Sequence, residues 1–405
     1  MIEKSKTQTL AFGKWIFPGL HHRIVCVVTC AVLSCSLSGF SQITAKANPK
    51  VTQNLYPEKA RIKYAKNFSI QYFGTYKVVN IRNYFGGQVD TLQYLLVDRK
   101  YPVPRGYPKA QIIRTPVKSF ISMSSMHIAM TNFAGSANAI VALGSFKYVT
   151  SPVVRQNIKA GKVQEVGLDG SLNNELIISM NPGVVMVMGN TAAKFSRYQT
   201  LTGAGVPVLS NFEWLESTPL ARMEWVKLIA ALVNKEAVVN KKFSAVEREY
   251  QKLVLVAKKA KTRPLIIYGM PFKGTWLMPD ADSYNTQLFK DAAANYKWSN
   301  EKGTGSLPLT FEAVAPVALK ADYWLNLGYV DSKNDILAKD SRFAYFKPIK
   351  NGRVYNHNNR VNDIGSNDFW ESGGVNPHLI LADLIKILHP ELLPNHKLVY
   401  YKQLK

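Results

Sequence analysis

Hydrophobic and polar positions alternate first in "FSIQYFGTYKVVNIRNYFGGQVDTLQYLLVD" (68–98), where aromatic and β-branched residues take every second place and "GG" interrupts the run. That period of two predicts antiparallel ribbon strands. The proline-rich "KYPVPRGYPKAQ" (100–111) predicts a loop that closes the section. Beyond it the pattern becomes α/β. "VKSFISM" (117–123), "GVVMVMG" (183–189) and "GVPVL" (205–209) are short apolar runs that predict buried parallel strands. "NAIVALGS" (138–145) predicts the end of a helix with a glycine stop. "STPLARMEW" (217–225) opens a helical region with Ser/Thr, Pro and then Glu224. In it Val239, Phe243, Val246, Tyr250, Leu253 and Ala257 step by three or four along one face of a long helix. "KTRP" (261–264) ends that helix.

After the long helix the pattern repeats. "KTRPLIIYGM" (261–270) echoes "RTPVKSFISM" (114–123), "FEAVAPVALKADYWLNLG" (311–328) echoes "NELIISMNPGVVMVMG" (174–189), and "NGRVYN" (351–356) echoes "AGVPVLSN" (204–211). The prediction is α/β: two doubly wound, Rossmann-like lobes joined by one long rigid helix, with an N-terminal β-ribbon extension. The boundaries read as a signal segment 1–47, tether and ribbon 48–109, an N-terminal lobe 110–235, the linking helix 236–260 and a C-terminal lobe 261–405.

Charge and cysteine usage add the compartment. The chain of 405 residues has a formal net charge of +24, spread along its length. This suits a basic surface meeting an anionic ligand, lipid or wall polymer. No zinc-finger spacing or RNP-type motif accompanies it, so nucleic acid is not an expected partner. Lys4, Lys6, Lys14 and Arg23 precede the apolar "IVCVVTCAVLSCSLSGF" (24–40), and Ala45 and Ala47 form a small-x-small cleavage pattern. "VLSC" (32–35) alternatively resembles a lipobox, with Cys35 as the lipidated residue; a retained membrane anchor is a third reading. Each places the body outside the cytoplasmic membrane. All three cysteines, Cys26, Cys30 and Cys35, lie in this segment, so the body has no disulfide, thiolate metal site or cysteine nucleophile.

The pieces "VGLDGSLNNELIISMNPGVVMVMG", "NFEWLESTPLARMEWVKLIAALVNKEAVVN", Trp370 and "NPHLILADLIKILHPEL" (376–392) together resemble the substrate-binding component of an ABC importer. The resemblance is to the helical-backbone class that serves ferric siderophores, cobalamin and haem, and it covers residues 110–395. It implies a monomeric carrier, not an enzyme, that holds a small-molecule metal chelate between its lobes without a cofactor. The carrier hands its load to a permease dimer with a cytoplasmic ATPase. The resemblance also implies permease-docking glutamates, which match Glu175 in "NNEL" and Glu312 in "TFEAV". Either glutamate could instead only favour its helix N-terminus. The missing tryptophan ahead of "NNEL" sets a ferric chelate before cobalamin.

Strand ends nominate ligand residues. Ser124, Ser125, Met126 and His127 follow the 117–123 strand, where serines either meet an anionic or carbonyl-rich ligand or cap a helix. Asn190, Phe212 and Trp214 follow the next two strands, and Phe272, Trp276 and Tyr284 follow the strand of the second lobe. Arg360 and Lys273 are candidates for an anionic complex, and His127 and His357 for iron; His389 reads as structural. No metal site with paired ligands is expected. There is no G-x-S-x-G, P-loop or H-E-x-x-H motif, and the neighbouring Ser and His of "SMSSMH" do not make a triad. An envelope adhesion or scaffold protein remains the competing class.

Overall fold

The computed structural model describes residues 54–405 apart from 169 and 304. The signal segment, Cys35 and the cleavage pattern at Ala47 lie outside the described residues. The ribbon forms as β1 (Phe68–Tyr72), β2 (Tyr76–Phe85) and β3 (Gln88–Asp98), antiparallel neighbours in register. Gly86 and Gly87 both take positive φ, 57° and 79°, which is what a two-residue primed turn demands. The proline-rich loop does not end the section. It carries the chain over to β4 (Gln111–Thr115), which pairs parallel with β3, so the sheet has four strands and runs past residue 109.

The N-terminal lobe is a five-stranded, wholly parallel sheet in the order β7–β6–β5–β8–β9. Its strands are β5 (Phe120–Ser122), β6 (Ile140–Leu143), β7 (Gln164–Glu165), β8 (Val184–Met188) and β9 (Val208–Asn211). Around it lie α1 (Ser125–Phe133), α2 (Pro152–Lys159), α3 (Asn174–Met180) and α4 (Gln199–Gly203). Both sheet faces are covered. Phe120, Val184 and Met186 join one core cluster, and Ile121, Val185 and Val187 join another. "NAIVALGS" is therefore a correction: it holds strand β6 and not a helix end. Four apolar residues ahead of a glycine look the same in either role.

Next come α5 (Pro219–Glu224), α6 (Val226–Val233) and α7 (Glu236–Ala257). Helix α7 has 22 residues, so it spans about 33 Å at 1.5 Å per residue. The apolar stripe read along it faces inward: Val239, Phe243, Tyr250, Leu253 and Ala257 are buried, and Val246 packs at the edge. Val239 and Phe243 belong to the N-terminal lobe's core, whereas Tyr250, Leu253 and Ala257 belong to the C-terminal lobe's.

The C-terminal lobe repeats the plan. Its sheet order is β12–β10–β14–β15–β16, from β10 (Leu265–Tyr268), β12 (Asn295–Tyr296), β14 (Tyr323–Leu325), β15 (Val354–Asn356) and β16 (Lys402–Gln403). The first four are parallel and β16 is antiparallel. A separate antiparallel pair, β11 (Trp276–Pro279) with β13 (Ser306–Leu309), stands beside it. Helices α8 (Tyr284–Asp291), α9 (Phe311–Ala318), α10 (Lys333–Lys339), α11 (Lys347–Lys350) and α12 (Pro377–Leu388) complete the lobe, and α12 packs along α7.

From residue 54 onward the expected tether is a strap laid on α5–α7. The buried carboxylate of Glu224 accepts from the backbone N–H groups of Lys63, Tyr64 and Ala65 at 2.6–3.0 Å and from Lys227 Nζ at 2.6 Å. Glu216 accepts from the N–H groups of Lys66 and Asn67 and from Trp225 Nε1. Lys77 of β2 is fully buried, yet its ammonium bonds Glu236, Asn234 Oδ1 and Ala231 O, so the charge is paired and its donors are used.

Candidate functional site

A cavity of about 650 Å³ lies between the lobes. The N-terminal lobe supplies Ser125 at the start of α1, after β5, and Lys147 and Tyr148 in the loop after β6. The C-terminal lobe supplies Tyr329 and Asp331 after β14, His357 and Asn358 after β15, Trp370 in the following long loop, and Lys402 on β16. Most of the lining therefore follows the carboxyl ends of parallel strands, where open α/β sheets place their sites.

The lining is aromatic and basic. Tyr329 is 100% exposed, Trp370 53% and Tyr148 51%. Large rings turned to solvent inside one concavity are surfaces left for a ligand to cover. Lys402 pairs with Asp331 at 3.0 Å, while Lys147 has no carboxylate partner among the described residues. His357 is buried edge-to-face against Phe369 and Trp370, with ring centres 4.3 and 5.1 Å away. Burial pushes its pKa down to about 4, so the ring is neutral at pH 7. The amide nitrogen of Asn356 donates to Gly328 O and Val330 O, so Asn356 Oδ1 is the acceptor for His357 Nδ1–H. By that network His357 Nε2 is left as an acceptor.

The lobes meet through a clasp next to the cavity. Ser125 Oγ donates to Trp370 O, Ser366 Oγ to Lys147 O, Asn362 Nδ2 to Val149 O and Thr150 Oγ1 to Asp368 Oδ1, at 2.5–3.1 Å. Arg155 pairs with Asp363 at 2.7 Å. Thr150 N donates to the buried Glu371 at 2.8 Å. Gly374 lies against the end of the Met126 side chain, which would have to shift for any larger residue there.

Of the residues nominated from sequence, Ser125 and His357 line this cavity. Ser124 caps α1 by accepting from Met126 N. His127 is buried in the core and burial lowers its pKa to about 3. Phe212 and Trp276 are also core side chains, Phe212 edge-on to Tyr84 and Trp276 donating to Tyr268 O, so neither faces a cleft. Asn190 accepts from Ala192 N, and Trp214 donates to Gly189 O, both away from the cavity. Phe272 is 73% exposed at the tip of the β10–β11 turn beside Lys273. Arg360 is spent on Asp368 at 2.9 Å, fixing the clasp loop. His389 is buried at the end of α12. Tyr284 lines a separate small cavity between the lobes. Among the described residues no cluster of His, Cys, Asp or Glu could hold a metal ion.

Sequence reasoning missed Lys147, Tyr148, Tyr329, Trp370 and Lys402. The strand-end rule would have found Lys147 and Tyr148 had β6 been read as a strand, and Tyr329 had it been applied to β14.

A sequence model of the periplasmic binding protein family matches residues 137–361, more than half of the chain. The chain belongs to the periplasmic binding protein family. An uncharacterized lipoprotein of Methanocaldococcus jannaschii is 27% identical over 408 aligned positions, which cover 93% of this chain and 94% of the relative. A periplasmic binding protein from Veillonella parvula superposes with a TM-score of 0.54 at 13% identity, over 77% of this chain and 98% of that one. An ABC transporter solute binding protein from Sulfurospirillum deleyianum gives 0.51 at 13% identity, over 71% and 87%. These structures share the fold. Members of this family are binding proteins, and a two-lobed body with a cleft is the form they take.

The clasp has a titrating group. Burial raises Glu371 to about pKa 7, Thr150 N–H opposes the shift, and Asp368 adds to it while Arg360 partly neutralises Asp368. A raised pKa favours the folded state fully below the ordinary carboxyl value, and this contribution is lost as pH rises through about 7. Glu371→Gln removes the titration. Denaturant unfolding is predicted to show wild-type stability falling relative to Glu371→Gln between about pH 5 and pH 7. A difference that stays constant over that window contradicts the assignment.

Proposed function

We propose that the protein is the extracytoplasmic substrate-binding component of an ABC importer and captures an anionic ferric chelate of the siderophore type in the interlobe cavity. The observation that carries this reading is the lining itself: Tyr148, Tyr329 and Trp370 turned to solvent beside Lys147 and Lys402. Rings cover an apolar chelate scaffold, and Lys147, which has no carboxylate partner among the described residues, compensates its negative charge. A volume of about 650 Å³ is within the range of small-molecule sites. Family membership supports a transport role, and the description of the methanogen relative as a lipoprotein supports an exported protein held in the cell envelope. Among the described residues no helix is long and apolar enough to cross a membrane.

Fluorescence titration with ferric catecholate, ferric hydroxamate and ferric carboxylate chelates, haem and cobalamin tests the ligand class. A negatively charged ferric chelate is expected to give saturable tryptophan quenching, weakened about tenfold or more by Tyr329→Ala or Lys147→Ala. Saturable quenching by haem or cobalamin alone moves the ligand to that class, and no quenching by any of them contradicts the reading.

The delivery step is assigned to Glu175 and Glu312. Each is the second residue of its helix, α3 or α9, behind a capping side chain, Asn173 or Thr310, and each is exposed. Hydrogen bonds from its own N–H and from the Thr310 hydroxyl hold the Glu312 carboxyl below the usual range, so it stays ionised for a cationic partner. Two such carboxylates, one per lobe, give two points of orientation on a permease pair. Glu175→Ala with Glu312→Ala is expected to reduce cellular uptake about tenfold with chelate affinity unchanged. Loss of affinity in the purified double variant would place both residues in binding instead.

A further inference from the structure

Trp370 lines two cavities. One is the outer cavity of about 650 Å³; the other, the inner cavity of about 50 Å³, also lies between the lobes and is lined by Arg222, Tyr268, Tyr284, Asn285 and Met126. The indole is the residue common to both. Its backbone is pinned: Trp370 N donates to Asn367 O at 3.2 Å, Trp370 O accepts from Ser125 Oγ at 3.1 Å, and the neighbouring Glu371 is held by Thr150. Its ring touches Phe369 and His357 only edge-on and is half exposed. A rotation about the side-chain bonds would therefore join the two volumes without moving the clasp.

The inner cavity is built for a negative group. Arg222 reaches it from α5, and its one carboxylate partner, Glu213, stands at a long 3.4 Å. Arg222 Nε is buried and has no hydrogen-bond partner. The guanidinium is thus underused: its side chain is 24% exposed, but the buried Nε donor costs energy until something fills it. Around it are the Tyr284 hydroxyl, whose ring lies 5.2 Å from the guanidinium, and the Asn285 amide, which donates to Tyr268 Oη at 3.3 Å. A space of about 50 Å³ holds a few atoms, which is carboxylate size and no more.

We propose that Trp370 is a movable partition and that Arg222, with Tyr284 and Asn285, forms an inner subsite for a single pendant carboxylate of the ligand. The outer cavity holds the bulk of the ligand, and the inner one selects those that carry a free small oxyanion. This rests on the reading of the interlobe cavity as the binding site.

The test uses the full exported chain and two kinds of probe. In Trp370→Ala the inner subsite stands open. Sodium acetate, against sodium chloride at equal ionic strength and against acetamide, is expected to raise its Tm by about 2–4 °C. The gain should persist with Arg222→Lys added and vanish with Arg222→Gln. Equal Tm values in acetate, chloride and acetamide overturn the subsite. In the otherwise native chain, a ferric trihydroxamate bearing one pendant carboxylate should bind about tenfold tighter than its methyl ester, and Arg222→Gln should abolish that preference. Equal affinity for acid and ester in the native chain also overturns it. If acetate stabilises as stated but neither trihydroxamate binds, the inner subsite stands and the ferric-chelate reading falls.

Discussion

Helix α7 is the constraint on which the other features depend. Its first turns are buried in the core of one lobe and its last turns in the core of the other, so neither lobe can be packed without fixing the helix, and the helix fixes the other lobe. A helix continuous over 22 residues bends little, and α12 lies along it as a second rail. The strap and ribbon add to the same strut. Glu224, Glu216 and the Lys77–Glu236 pair tie residues 63–77 to α5–α7 through buried, fully used charges. Breaking one of those pairs would leave a buried charge without a partner, which costs far more than any exposed ion pair contributes. The N-terminal extension is thus part of the frame.

A stiff frame leaves small adjustments at the cleft. The clasp between residues 147–155 and 362–371 sets how closely the lobes approach, and it does so with hydrogen bonds to backbone as well as side chains. Loops at the ends of β5, β6, β14 and β15 then stand at fixed distances around one volume. On the proposed reading, selectivity arises from what those loops carry: three rings, two lysines and a neutral imidazole. On that reading binding is reversible, and its specificity comes from covered aromatic surface and compensated charge.

Much of the frame was legible in the sequence. The apolar stripe of α7, the strand at 183–189 and the echo between "NELIISM" and "FEAVAPV" all express periodicities that local patterns carry. The equivalent places of Glu175 and Glu312 follow from that echo, since both occupy the second position of their helices. The site was less legible. A four-residue buried strand has no period to distinguish it from a helix end, so β6 was misread, and with it the loop carrying Lys147 and Tyr148. Phe212 and Trp276 follow strands in sequence, but only packing decides whether such a ring turns to the core or the cleft. Trp370 and Glu371 lie in a loop whose conformation is set by partners 245 and 221 residues away, which no local window contains. Nothing in the local ribbon pattern marks Lys77 as buried, because its burial depends on Glu236, distant in sequence at the start of α7.

Hydrogen exchange measured with and without bound chelate tests the central claim most directly, because it reports where a ligand sits and whether the frame moves. The account predicts slower amide exchange in the loops 145–150, 326–332 and 357–370 on loading, with helix α7 equally protected in both states. Protection confined to the ribbon 68–98 or to the turn 271–275, or a changed exchange rate along α7, contradicts it.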